Sequence, residues 1–198
     1  FRKLYLARDR MGEKPLYYGW QGESLLFGSE LRALRQHPDW QGAIDTSVLP
    51  ALLRHNVIPA PRTIHQGICK LPPASYVCLD LDHPQSGQLP ETKRYWKLET
   101  CFEERSGLTL ESAADELDRL LKQSISDQMV SDVPLGAFLS GGIDSSTVVG
   151  IMQSMASQPV RTFSIGFREE GFNEAEHAGA VAKHLGTDHT ELYVTEQE

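Results

Sequence analysis

Apolar positions recur with two different spacings along this chain, and the change from one to the other divides it. Residues 3–7, 16–20 and 24–29 are short β-prone runs bounded by glycine, proline and charged turns, the pattern of β-strands. Between the first two, Arg8-Asp9-Arg10-Met11-Gly12-Glu13-Lys14-Pro15 reads as a turn punctuated by Gly12 and Pro15. Gln21-Gly22-Glu23 joins the other two as a hairpin. A short helix is expected over 30–36. A second is expected near 47–55, with Asp45 or Thr46 as its cap. Pro59-Ala60-Pro61 ends that segment, and Leu71-Pro72-Pro73 leads into a strand over 75–80.

No period is sustained over 82–108, where His83-Pro84-Gln85-Ser86-Gly87-Gln88 is a turn-rich insertion. Beyond it the spacing becomes helical. Thr109 can cap a helix that places Ala113, Leu117, Leu120, Leu121 and Ile125 on one face. A strand over 133–139, a glycine loop and a helix with Val148, Ile151, Met152 and Met155 on one stripe follow. Next come a strand over 160–167 and a helix over 174–185, with Ala178, Val181, Ala182 and Leu185 inward and Gly186 as its stop. A last strand covers 190–194. This β-loop-α-β-α-β alternation predicts a parallel, doubly wound sheet. The domain boundary is placed between about Lys97 and Gly107, giving 1–97, a linker over 98–108, and 109–198.

Composition narrows the function classes without choosing among them. Forty per cent hydrophobic and 23% charged residues are ordinary for a globular protein. A net charge of −8 argues against a nucleic-acid scaffold or an anionic-membrane binder. Cys69, Cys78 and Cys101 are odd in number and form no CxxC pair, so neither a disulfide framework nor a zinc site is indicated. The expectation is reduced thiols in a cytoplasmic protein. No apolar run approaches the roughly 18 residues that span a bilayer. The chain starts inside a strand without an initiator Met, and is read as a fragment cut at both ends.

The stretch AFLSGGIDSS, residues 137–146, carries the chemistry. A strand, a tight glycine turn and a helix put free backbone N–H groups and the positive helix end against an anion. Gly141 and Gly142 let the backbone turn sharply and approach phosphate oxygens. Ser140, Ser145 and Ser146 add hydroxyl donors. No lysine follows, which weakens the case for γ-phosphoryl transfer. Asp144 cannot bind phosphate itself, but a Mg²⁺ ion could bridge it to phosphates. The arrangement suits pyrophosphate leaving while the α-phosphate is attacked. A plain serine-glycine turn is the bland alternative, and the complete SGGIDSS between strand and helix outweighs it.

At this point the sequence resembles a family. SGGIDSS looks like the pyrophosphate loop of the N-type ATP pyrophosphatases, and Ser131-Asp132-Val133-Pro134-Leu135-Gly136 resembles the approach to it in glutamine-hydrolysing asparagine synthetases. Phe163-Ser164-Ile165-Gly166-Phe167, Asn173-Glu174-Ala175-Glu176 and Lys183-His184-Leu185-Gly186-Thr187-Asp188-His189 continue the likeness. In the first half, residues 8–18 with Phe27-Gly28-Ser29-Glu30 are similar to the later part of the family's class II glutamine amidotransferase domain. Pro59-Ala60-Pro61-Arg62-Thr63-Ile64 and Lys70-Leu71-Pro72-Pro73-Ala74 look like its closing segment, where the family more often has glycine than Ala74.

The resemblance implies an α+β and α/β fold: the later part of an antiparallel β-sandwich glutaminase domain, then the start of a doubly wound ATP pyrophosphatase domain. It implies an ATP-dependent carbon–nitrogen ligase that adenylates the side-chain carboxylate of L-aspartate, releases pyrophosphate and transfers ammonia derived from L-glutamine. ATP and Mg²⁺ are the implied cofactors, with Asp144 the metal ligand. Leu139, Ser140, Gly141, Gly142, Asp144, Ser145, Ser146 and Ile165 are the implied nucleotide-binding residues, Leu139 and Ile165 flanking adenine and ribose. The nucleophilic cysteine of such enzymes is the first residue of the mature protein. It would lie upstream, so no catalytic residue is assigned here and this stretch alone is expected to be inactive. The implied partners are small molecules, with no nucleic acid and no membrane; a homodimer is left open. An amidotransferase acting on another carboxylate, such as a sugar acid of polysaccharide biosynthesis, or a β-lactam synthetase-like cyclase, is the alternative. A scaffold that kept only the fold has no physical need for the acid and three hydroxyls of the loop.

Weaker features take structural readings. Arg8-Asp9-Arg10 is expected as an ion-pair turn, Ser29-Glu30 as a helix cap, and Asn173 with Glu174 as another. His177, His184 and His189 are expected to be solvated.

Overall fold

The computed structural model describes residues 2–102, 107–167 and 174–194. It divides into two compact units, Phe1–Arg105 and Ser106–Glu198.

The first unit holds two three-stranded antiparallel sheets. Strands β1 (Lys3–Ala7), β5 (Ser75–Asp80) and β6 (Lys93–Arg94) form one, with Lys3 opposite Asp80 and Ala7 opposite Tyr76. Strands β3 (Ser24–Gly28), β2 (Tyr17–Gln21) and β4 (Ile68–Lys70) form the other. Gly22, at φ +61°, supplies the left-handed residue of the two-residue β2–β3 turn. Along β5, Ser75, Val77 and Leu79 point inward. Val77 and Leu79 meet Leu6 of β1, Tyr18 of β2 and Leu71, so the two sheets share one core. Helices α1 (Leu31–Leu34) and α2 (Leu49–His55) lie between β3 and β4 in sequence. The Asp45 carboxylate accepts from the Ser47 N–H, capping the turn that runs into α2.

Three local expectations need correction here. The Arg8-Asp9-Arg10 turn is held by backbone groups rather than by an ion pair. Arg8 donates to the carbonyls of Lys14, Leu71 and Gly12 at 2.7–2.8 Å, and the Asp9 carboxylate accepts from the Glu13 and Lys14 N–H groups. The Glu13 amide above all, opposed by desolvation and helped by the Lys14 amide, holds the Asp9 carboxyl below its ordinary range. Arg10 instead lies over the Trp96 ring, 5.8 Å from its centroid. Ser29 does not cap α1. Glu30 holds the N-cap position without a side-chain bond, and the helix spans one turn rather than 30–36.

Ala74 explains the glycine preference at its position. Its φ is +54° and it is 1% exposed, with its N–H bonded to Asp9 and its carbonyl to Tyr95. A Cβ in left-handed backbone costs about 1–2 kcal/mol, against about 0.8 kcal/mol gained from the buried methyl. Ala74→Gly is expected to leave the melting temperature unchanged or raised, whereas the same exchange inside a helix costs about 1 kcal/mol. A clear fall in thermal denaturation would contradict the strain argument.

The second unit is a parallel sheet, order β7-β8-β9, built from Gly136–Phe138, Arg161–Phe167 and Asp188–Val194. Helix α3 (Leu110–Gln128) precedes it, α4 (Ile143–Met155) joins β7 to β8, and α5 (Ala175–Leu185) joins β8 to β9. Thr109 caps α3 through the Ser112 N–H, and Gly186, at φ +72°, ends α5. Leu139, Val149, Ala178 and Ala182 pack as one cluster; Ile125, Met152 and Val160 form another beside it. Strand β8 alternates: Thr162, Ser164 and Gly166 are buried, while Phe163, Ile165 and Phe167 stand exposed on the other face.

Strand β7 is shorter than 133–139, since Val133 is exposed and Pro134 has no N–H for a ladder. Strand β9 starts at Asp188, two residues earlier than expected. The apolar stripe expected on α4 is misplaced: Val149 and Met152 are buried, while Val148 and Met155 are partly open. A helix apolar on most of its circumference has no single stripe, and α5 selects the side carrying Val149. On α3, Ile125 alone of the five expected positions is buried, with Leu117 57% and Leu120 49% exposed.

Candidate functional site

The loop after β7 is shaped by three constraints. The Leu139 N–H extends the ladder to the Phe163 carbonyl at 2.9 Å, and the Leu139 side chain is buried in the core. The backbone then reverses at Gly141, φ +78°, where an added Cβ would stand 2.8 Å from the Ala178 nitrogen and from His177 Cβ. The loop thus lies directly on the first turn of α5. Helix α4 starts at Ile143 with Gly142 as N-cap, and no side chain caps it. Its first N–H groups lack a side-chain acceptor, as at an anion-binding helix end.

The three serines play different parts. Ser140 and Ser145 bind one another, hydroxyl to hydroxyl at 2.9 Å. Ser145 Oγ also accepts from the Ser140 N–H, and Ser140 Oγ from the Gly142 N–H. They hold the loop closed. Ser146 Oγ is buried with no hydrogen-bond partner, an orphan of the kind that a ligand oxygen satisfies. Asp144 lies exposed in the first turn of α4. Among the described residues no three His, Cys, Asp or Glu side chains form a metal cluster. A single carboxylate is nonetheless compatible with Mg²⁺, which takes its remaining ligands from phosphate and water.

Leu139, Ser140, Ser145 and Ile165 line one cavity of about 280 Å³, together with Phe138, Phe163, Ser164 and Glu174. Gly141, Gly142, Asp144 and Ser146 complete the loop and the helix start beside it. The cavity lies where β7 and β8 end, the carboxyl edge at which open parallel sheets bind ligands. The first unit has a separate cavity of about 370 Å³ under Trp20, Leu25 and Leu79, which contains none of the predicted residues.

Two residues differ from expectation, Glu174 in its bonding and His189 in its exposure. Glu174 occupies the N-cap position of α5 without a capping bond and lines the cavity; Asn173 lies outside the described residues. His189 is nearly enclosed, its side chain 11% exposed, with both ring nitrogens hydrogen-bonded. Its place on β9 opposite Thr162 was the available signal, because alternate positions of a covered parallel strand point inward. His177 and His184 are exposed. Cys69, Cys78 and Cys101 are all free thiols, and burial raises the pKa of Cys69. No helix among the described residues is long and apolar enough to cross a membrane.

Comparison with known proteins joins these features. Residues 1–96 match the model of the glutamine amidotransferase domain, and residues 116–198 match that of asparagine synthase. A putative glutamine-hydrolysing asparagine synthetase of Methanocaldococcus jannaschii is 32% identical over 98% of this chain and 37% of its own length. Asparagine synthetase 3 of Bacillus subtilis is 33% identical over 84% of this chain and 26% of its own. A probable asparagine synthetase of Acanthamoeba polyphaga mimivirus is 28% identical over 93% and 31%. The chain thus spans about a third of the length of the curated relatives it matches. With both domain models matched in order over nearly the whole sequence, the chain belongs to the glutamine-hydrolysing asparagine synthetase family.

Proposed function

We propose that this chain supplies the nucleotide-binding part of an asparagine synthetase, together with part of its glutaminase. The full-length protein would adenylate the side-chain carboxylate of aspartate with ATP, release pyrophosphate, and amidate the adenylate with ammonia from glutamine. Residues 1–97 would belong to an antiparallel β-sandwich glutaminase and 109–198 to a doubly wound synthetase, with 98–108 as linker. The relatives, named as asparagine synthetases, favour aspartate as the acceptor.

The observation that carries this reading is the uncapped start of α4 directly after the Gly141 reversal, with the orphan Ser146 hydroxyl beside it. Backbone N–H groups there would take up charge as pyrophosphate departs. Ser140 and Ser145 hold those groups in place before substrate arrives. Asp144 would hold Mg²⁺, which when bound supplies positive charge against the phosphate oxygens. Leu139 and Ile165 would flank the nucleoside, Leu139 from within the core and Ile165 from its exposed side.

Pyrophosphate release by the full-length protein, with Mg-ATP and ammonia, tests this directly. Release that requires L-aspartate and disappears in Asp144→Ala is expected. Release without aspartate would move the acceptor to another carboxylate. An Asp144→Ala variant as active as wild type would remove the metal assignment.

A further inference from the structure

The covered face of β8 is unexpectedly polar. Thr162 is fully buried and Ser164 6% exposed, at positions where a covered parallel strand usually carries Val or Ile. His189 of β9 joins them. Its Nδ1 lies 2.9 Å from Thr162 Oγ1, and its Nε2 3.1 Å from Ser164 Oγ. Thr162 Oγ1 is 2.9 Å from Thr187 Oγ1, which donates over 3.5 Å to the Ala182 carbonyl. A continuous chain of hydrogen bonds thus runs from the end of α5 to Ser164, a residue lining the candidate nucleotide cavity.

One direction of the chain is obtained by starting at its carbonyl end, where the Thr187 hydroxyl reaches the Ala182 carbonyl. The Ala182 carbonyl can only accept, so Thr187 gives its hydroxyl hydrogen there. Thr162 then donates to Thr187, and His189 Nδ1–H donates to Thr162. Nε2 is left as an acceptor, and Ser164 donates to it. Glu191 Oε1 stands 3.7 Å from Nε2, too far for a hydrogen bond that would reverse this order. In this direction, with the Nδ1–H tautomer of His189, the Ser164 hydrogen is used internally and its oxygen retains only lone pairs.

We propose that His189 is a positioning residue that fixes Ser164 as a hydrogen-bond acceptor at the cavity, matched to a hydroxyl or amino hydrogen of a nucleoside. This rests on the nucleotide reading of the cavity given above. An acceptor fixed from behind by a buried ring loses no rotamer freedom when ligand arrives, and it disfavours a ligand that presents an acceptor of its own.

The full-length protein tests it through the KM for Mg-ATP in pyrophosphate release. Loss of one neutral hydrogen bond predicts that Ser164→Ala raises KM about 3- to 10-fold, with kcat changed less than about twofold. His189→Asn removes the Nε2 acceptor and should raise KM equally; combined with Ser164→Ala it should add nothing further. His189→Gln, whose amide oxygen can replace Nε2, should restore KM. The ring ¹⁵N shifts of His189 in wild-type protein should report the Nδ1–H tautomer. A purely structural role would lower thermal stability while leaving KM untouched. Additive effects of the two substitutions, an unchanged KM in His189→Asn, or the Nε2–H tautomer would each overturn the proposal. The nucleotide reading is checked separately by equilibrium dialysis of wild-type protein with Mg-ATP. Absence of binding would overturn that reading and this inference together, whereas binding without the coupling would overturn this inference alone.

Discussion

Gly141→Ala is expected to lower pyrophosphate release by the full-length protein about 100-fold or more, and far more than Gly142→Ala does. The two glycines are neighbours in the same loop, yet their surroundings differ. Gly141 sits at φ +78°, where any other L-residue is strained by about 1–2 kcal/mol. Its Cβ would also press on the Ala178 nitrogen at 2.8 Å and the His177 carbonyl carbon at 2.9 Å. These are backbone atoms of a helix, which cannot swing away, so the loop must lift from α5. A displacement near 1 Å at a reacting group typically costs about 100-fold in rate. Gly142 has an ordinary φ of −74°, and its added Cβ would meet only the Ser140 hydroxyl at 3.3 Å. Its replacement by Ala is expected to cost less than about tenfold, the order of one weakened neutral hydrogen bond. Steady-state kinetics on the two variants decide the matter, and equal losses would mean that the contact with α5 does not shape the loop.

The largest loss of stability is expected from Gly19→Ala, in the first unit. Gly19 of β2 pairs with Ile68 of β4. A Cβ there would lie 1.9 Å from the Gly67 carbonyl oxygen and 2.9 Å from both the Gly67 carbonyl carbon and Ile68 Cα. Gly67 is itself left-handed, at φ +73°, and its own Cβ would meet the Trp20 oxygen at 2.7 Å. Two glycines thus let β2 and β4 approach with no side chain between them. A methyl group inserted there must separate the strands, opening the sheet beside buried Tyr18 and Ile68. Overpacking ordinarily costs about 1–3 kcal/mol; with backbone on every side, about 4 kcal/mol or more is expected here, a value reached by few single substitutions. Chemical denaturation of the full-length protein would show the transition of this unit shifted or lost. An unchanged midpoint would contradict the β2–β4 pairing.

The strand, glycine turn and helix start at residues 136–146 were legible in the sequence because their geometry is local. Two glycines, an acid and three hydroxyls between a strand and a helix need only backbone geometry to be read. The cap at Thr109, the stop at Gly186 and the succession of strands and helices were legible for the same reason, since each rests on residues within a turn of one another. Burial was not legible, because it depends on what packs against an element. Val149 rather than Val148 faces inward because α5 lies on that side of α4, and Leu117 is exposed although its spacing on α3 is regular. The inequality of Gly141 and Gly142 comes from the approach of α5, whose contacting residues begin 36 positions further along the chain. Arg8 binds the Leu71 carbonyl 63 residues away, so its ion-pair reading could not survive folding. His189 gained its two hydroxyl partners only when β9 was set beside β8 in register. By itself the sequence determined the order of elements and the local form of the glycine loop after β7. The tertiary structure decided which glycine that loop depends on, which histidine is enclosed and which faces are covered, because each of these depends on contacts between residues far apart in the chain.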